Sequence, residues 1–149
     1  MKFLCDRMLG TLAKWLRIYG FDTYYASSDM DDKKLIEISK NEDRVFITRD
    51  KTLVFDARRE NVKVIQISET DIGKQLKQIL KNTKVDKKFF LSRCLICNSL
   101  VEEIKKKDVE NKVPEKVFEN NDEFWYCSKC DKIYWKGSHY DKMISTFKI

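Results

Sequence analysis

Val45-Phe46-Ile47-Thr48-Arg49-Asp50 is a short apolar, β-branched run that ends in a charged turn, the pattern of a buried strand. Lys51 to Glu60 follows as a helix and Val62 to Ile67 as another strand. The same unit repeats upstream. Lys2-Phe3-Leu4-Cys5 reads as a strand, and Met8 to Tyr19 as a helix with Leu9, Leu12, Leu16 and Tyr19 on one stripe, stopped by Gly20. Thr23-Tyr24-Tyr25 is the next strand. Asp31 to Lys40 is a helix with Leu35, Ile38 and Ser39 inward and acids in its first turn, where the helix dipole favours them. Ile72 to Leu80 closes the series with Ile72, Leu76, Ile79 and Leu80 on its apolar face. Strands alternating with helices predict an α/β fold with a mainly parallel sheet wrapped by helices.

Right-handed crossovers bring the carboxyl ends of parallel strands to one edge of the sheet, where open α/β sheets bind ligands. Asp6 directly follows the first strand and Asp50 the third, and Asp29, Asp31 and Asp32 follow the second. Carboxylates gathered in one crevice repel unless a cation neutralises them. Their hard oxygens suit magnesium or manganese, which can activate water against a phosphodiester. Arg7, Lys14, Arg17, Arg49 and Lys51 are the cations at hand for an anionic substrate. Each aspartate taken singly also has a plain use as a turn or cap residue.

Cys94-Leu-Ile-Cys97 and Cys127-Ser-Lys-Cys130 are two CxxC pairs separated by 29 residues. Two such turns supply the four thiolates of a tetrahedral structural zinc site. Asn82 to Ser92 reads as a basic linker. Beyond it a strand is expected at Leu100 to Ile104, a short charged helix around Val109 to Val117, broken or bounded by Pro114, and a strand at Glu123 to Tyr126. Domain boundaries at 1–88 and 89–149 follow. Cys5 alternates with Leu4 and belongs beside Phe3 as a small core residue, not a nucleophile.

The 42% hydrophobic content suffices for a core, and the net charge is +6. Up to Lys88 there are 19 basic and 14 acidic residues, against 11 and 10 after it. This front-loaded excess suits a polyanion such as nucleic acid, and equally a plain lysine-rich surface. Charges at Asp6, Arg7, Lys14 and Arg17 break up any signal-like start. No run reaches the length of a membrane span. A cytoplasmic location is expected, and there paired CxxC turns bind metal rather than form disulfides.

The run CDRMLGTLAKWLRIYGFDTYY, then DDKKL, then RVFITRD, and in the tail RCLICN and FWYCSKCDKIYWKGSHYDKM, together resemble the Mut-seven C-terminal RNase family, a branch of the PIN-like nucleases. The resemblance spans nearly the whole chain in the family's order. It implies a PIN-like three-layer α/β/α domain followed by a zinc ribbon, and RNA cleavage dependent on magnesium or manganese. It matches Asp6 to the first acid and Asp50 to the TRD acid. Asp32 is the choice for the middle acid, with Asp31 the runner-up. Glu37, Glu42 and Asp71 are candidates for a fourth.

Three readings result. The first is a metal-dependent ribonuclease using Asp6, Asp32 and Asp50, with zinc on Cys94, Cys97, Cys127 and Cys130 and a ribbon that helps bind RNA. The second is a catalytically silent RNA- or ribosome-binding adaptor, and the third a protein-interaction module built on the ribbon. Ribosome or RNA-processing association is a further expectation. His139 is either an RNA contact or a packed histidine among Tyr134, Trp135 and Tyr140. Those aromatics serve either as the ribbon's core or as stacking faces for single-stranded bases.

Overall fold

Four strands, β1 (Lys2–Cys5), β2 (Asp22–Tyr25), β3 (Val45–Thr48) and β4 (Val64–Gln66), lie side by side in the order β2-β1-β3-β4, and every pairing is parallel. The computed structural model describes residues 1–146, apart from the side chains of His139, Met143 and Thr146. Successive side chains leave a strand on opposite faces. Phe3, Cys5 and Ile47 accordingly enter one apolar cluster, and Leu4 and Phe46 the other. A sheet that is apolar on both faces needs cover on both. Helices α1 (Gly10–Ile18) and α4 (Ile72–Leu80) supply it on the first face through Leu12, Leu16, Leu76 and Ile79. Helices α2 (Asp32–Asn41) and α3 (Lys51–Arg59) supply it on the second through Leu35, Ile36, Leu53 and Ala57. The result is the expected three-layer α/β/α arrangement.

The chain steps from β1 outward to β2, then crosses back to β3 on the other side of β1. The crevice between the carboxyl ends of β1 and β3 is therefore the topological switch point of the sheet. Asp6 N–H donates to Ile47 O at 3.0 Å, so the β1–β3 pairing runs one residue past β1 and fixes the turn that carries Asp6.

The first helical segment differs in detail from the sequence pattern. It opens as a 3₁₀ turn at Arg7–Leu9 capped by Asp6, and regular α-helix begins only at Gly10. Its far end is a Schellman turn: Phe21 N–H bonds Leu16 O at 2.9 Å and Gly20 N–H bonds Arg17 O at 2.9 Å, with Gly20 at φ +89°. A Cβ on Gly20 would stand 2.4 Å from Phe89 O. Gly20→Ala is thus expected to lose about 2–4 kcal/mol, from left-handed backbone strain and overpacking together, read as a lower urea midpoint. An unchanged midpoint would show that the contact with Phe89 yields freely.

The second half forms an antiparallel sheet of β5 (Glu102–Ile104), β6 (Phe124–Cys127) and β7 (Lys132–Tyr134) in that order. The charged helix expected around 109–117 is instead a 3₁₀ turn at Lys106–Asp108 followed by α5 (Glu115–Asn120). Pro114 disfavours helix in the residue before it and so bounds α5 at its start, the second of the two roles expected for it. β7 and the last helix, α6 (Ser138–Thr146), add to the elements that the sequence pattern predicts. Tyr140 and Ile144 of α6, four residues apart, pack onto the α1/α4 cluster. The segment read as a linker also takes part in that core. Phe90 is buried there with its ring 5.2 Å from that of Tyr19, and Leu91 N–H bonds Ile18 O at 2.9 Å. Among the described residues no helix is long and apolar enough to cross a membrane.

Candidate active site and metal centre

Asp6 is the first residue beyond β1 and is only 7% exposed. A carboxylate that buried needs donors, and it has two. Its Oδ1 accepts from Arg7 N–H at 2.7 Å and its Oδ2 from the Thr48 hydroxyl at 2.9 Å. Thr48, fully buried at the end of β3, also accepts on Oγ1 from Asp50 N–H at 3.1 Å. Asp50 in turn caps α3, with Oδ1 accepting from Thr52 N–H at 2.8 Å and Leu53 N–H at 3.4 Å. Its Oδ2 meets no donor among the described residues. One threonine hydroxyl thus ties the two acids together at the β1/β3 crevice, and the threonine was visible in the run Thr48-Arg49-Asp50.

Asp31 and Asp32 divide their tasks. Asp31 caps α2 through Lys34 N–H at 2.8 Å, whereas Asp32 sits exposed in the first turn and pairs with Arg7 Nη2 at 3.0 Å. Arg7 also donates to Met30 O, and the Tyr25 hydroxyl donates to Arg7 O. Arg7 therefore draws the loop before α2 toward the turn that holds Asp6. Among the described residues, the four cysteines are the group of three or more His, Cys, Asp or Glu side chains placed to hold a metal ion. Of the fourth-acid candidates, Asp71 opens α4 after β4 and accepts from Lys74 N–H. Glu42 ends α2 beside Arg44, at the far edge of the sheet, and Glu37 faces Lys34 on the exposed side of α2.

The cations also separate. Lys14 and Lys51 are exposed and Arg49 is half-buried next to Asp50. Arg17 is 6% exposed and commits its guanidinium to carbonyls: Nε to Thr23 O at 3.0 Å, Nη1 to Leu95 O at 2.8 Å and to Ile96 O at 3.3 Å. Four residues after buried Ala13, it lies on the flank of α1 that meets the first CxxC turn, which removes it from the cations available to RNA. His139 lies in α6, but its side chain is outside the described residues.

The Sγ atoms of Cys94, Cys97, Cys127 and Cys130 all lie within 4.8 Å of one another, and those of Cys97 and Cys127 are 3.5 Å apart. A tetrahedral shell with zinc–sulfur bonds of about 2.3 Å spaces its sulfurs by about 3.8 Å, so the four thiols fit a metal such as zinc with no ligand position left over. Backbone bonds pin the first turn, Cys94 N–H to Ser99 O at 2.8 Å and Asn98 N–H to Cys94 O at 3.0 Å. The Tyr134 hydroxyl lies 3.1 Å from Cys94 Sγ and accepts from Leu95 N–H at 3.0 Å.

This cysteine turn also seals an open sheet edge. β2 is an edge strand, and unpaired edges invite association. Thr23 directs its N–H to Asn98 Oδ1 at 3.0 Å and its carbonyl to Arg17. Asn98 Nδ2 donates to Asp22 Oδ1 at 2.7 Å, Arg44 Nη1 donates to the same oxygen at 2.8 Å, and Arg93 Nη2 stands 3.9 Å from Oδ2. Burial alone would raise the Asp22 pKa. The hydrogen bonds from Arg44 and Asn98, with the charges of Arg44 and Arg93, outweigh it and hold the carboxyl below its ordinary 3.8. A lowered folded-state pKa means that the stabilisation is full above the unfolded value and is lost as pH falls through the folded one. Asp22→Asn is expected to lose about 1.5–3 kcal/mol at neutral pH, and to lack the part of the acid-induced destabilisation below 3.8 that Asp22 contributes. Urea titrations of both proteins across that range check this. Parallel pH profiles would exclude Asp22 as their source. Nothing local in the sequence marks Asp22, Asn98 and Arg17 as partners, because 75 or more residues separate the cysteine turn from the atoms it meets.

A comparison with curated proteins finds no match. The family model of the Mut7-C RNAse domain matches residues 1–147, running through the parallel sheet, the Asp6–Thr48–Asp50 edge and the cysteine centre alike. A match of that extent, over a fold that agrees with it, means that the chain belongs to the Mut7-C RNAse domain family.

Proposed function

We propose that the protein is a ribonuclease dependent on magnesium or manganese, working in the cytoplasm, with residues 1–88 carrying the chemistry and residues 89–149 a zinc ribbon that aids RNA binding. The observation that carries this reading is the pair Asp6 and Asp50 at the switch-point crevice, joined through the Thr48 hydroxyl. A divalent ion held between carboxylates supplies positive charge for the scissile phosphate and a more acidic water. The chain's own part is positional. Asp6 is fixed by two donors, Asp50 keeps one oxygen for a ligand, and Arg49 and Lys51 stand beside it to hold the substrate's phosphates. Asp32 joins this group when Arg7 releases it. The closed sulfur shell gives the cysteine-bound zinc a structural role.

A second reading, a silent RNA- or ribosome-binding adaptor, draws on the same geometry. Asp50 already caps a helix and Asp32 is already paired with Arg7. The test is cleavage of single-stranded RNA with magnesium or manganese by the intact chain and by Asp50→Asn. Equal cleavage would take Asp50 out of the mechanism. RNA bound by both but cut by neither would leave the adaptor.

A further inference from the structure

The ribbon's aromatic residues do not share one role. Tyr134 is buried in the cysteine cluster, with Lys132 Nζ 5.6 Å from its ring centre. Trp125 carries Lys136 Nζ at 5.2 Å, and the Tyr126 hydroxyl donates to Asp131 at 2.6 Å. Tyr140 packs onto the core of the first sheet. Trp135 differs. It is half-buried, Gly137 packs beside its Cδ1 and Nε1 atoms, and among the described residues no other ring, cation or hydrogen-bond acceptor is paired with its indole. It also lines three adjoining clefts of the ribbon surface.

The largest of the three is about 600 Å³, with Pro114, Ile133 and Trp135 among its apolar lining and Lys112 and Lys132 contributing charge. That volume is within the span of small-ligand clefts, about 300–1,000 Å³. Lys116 and Lys136 line the next cleft. Four lysines line these two clefts against two aspartates, Asp131 and Asp141, and Asp131 is engaged by Tyr126. A partly exposed indole in clefts lined by lysines is complementary to a flat base flanked by phosphates. A duplex hides its base faces in the stack, so only an unpaired nucleotide presents one.

We infer that this cleft binds an unpaired base of single-stranded RNA, stacked on Trp135, with the neighbouring phosphates held by Lys112 and Lys132. The choice of RNA rests on the ribonuclease reading, but the site does not require catalysis.

The test uses the full chain with its zinc and no added magnesium or manganese. Fluorescence anisotropy follows a labelled, unstructured uridine-rich decamer and a duplex of the same length, with RNA integrity checked on a gel. Trp135→Ala is expected to weaken decamer binding about tenfold or more and to change duplex binding by less than about twofold, while Trp135→Phe restores most of the affinity because a phenyl ring also stacks. Lys112→Ala with Lys132→Ala is expected to flatten the logarithmic salt dependence by about 1.4, two phosphate contacts on a single strand. Unchanged decamer affinity in Trp135→Ala, or equal losses on decamer and duplex, would overturn the site. Failure of the wild type to bind either RNA at low salt would overturn it too, in favour of a protein partner. Should Trp135→Ala not retain zinc, the lysine pair decides: an unchanged salt slope overturns the site. Cleavage is not read in this experiment, so its failure leaves the nuclease proposal standing.

Discussion

Cys127→Ser is expected to release the metal and unfold the second sheet. Structural zinc in small modules contributes about 10–16 kcal/mol of apparent binding free energy, which is also folding free energy. The ribbon core has little to replace it: across residues 93–134 the buried hydrophobic residues are Cys94, Val109, Phe124, Cys127 and Tyr134. The loss should reach beyond the ribbon. Without an ordered first turn, Leu95 O and Ile96 O leave Arg17, Asn98 leaves Asp22, and Thr23 N–H loses its acceptor. A buried guanidinium deprived of acceptors is costly. Hydrogen exchange should therefore quicken across residues 93–134 and, to a smaller degree, along β2 and the end of α1. Metal analysis should fall from about one zinc per chain to a loosely held fraction. Native protection and full zinc content in Cys127→Ser would remove the cysteine cage as the organiser of the ribbon.

Asp50→Asn is expected to lower RNA cleavage at least about a hundredfold while leaving the fold intact. Perturbing groups behind metal ligands commonly costs 10–100-fold, and loss of the charge of a proposed ligand should exceed that. Asparagine caps helices as well as aspartate does, so α3 keeps its cap on Thr52. Asp6→Asn should match it in activity but not in stability. An amide nitrogen in place of Oδ2 cannot accept from Thr48, and a buried mismatch of this kind costs about 1–3 kcal/mol. Thr48→Val probes the link itself. It leaves Asp6 Oδ2 and Asp50 N–H without their shared partner, with an expected loss of about 2–3 kcal/mol and of 10–100-fold in cleavage. Melting curves and cleavage rates on the same preparations separate the two effects. Full activity in Asp50→Asn would end the case for a metal at this edge.

Much of this molecule was legible before its structure. The alternation of strands and helices, the stop at Gly20, the burial of Cys5 beside Phe3 and the pairing of the two CxxC turns are written in short stretches. Each is governed by forces that act over a few residues: side-chain periodicity, the left-handed freedom of glycine, the bite of a CxxC loop. Even Asp6 and Asp50 at one edge followed from local pattern plus the handedness of crossovers. The ribbon was less legible. Lys132-Ile133-Tyr134 is too short to stand out as a strand, and α6 reveals its purpose only through Tyr140 and Ile144 resting on another element's core.

The sequence by itself determined the alternation of strands and helices up to Leu80, the stop at Gly20 and which four thiols gather. Only the tertiary structure decided that Arg17 turns from solvent to the cysteine turn, that Asp22 gathers Arg44, Arg93 and Asn98, that Arg7 holds Asp32, and that Trp135 is half-buried while Tyr134 is enclosed. The physical reason is range. Backbone preference is set by neighbours in the chain, whereas the partner of a buried charge or an aromatic face comes from segments tens of residues away, brought near by packing that no local pattern encodes.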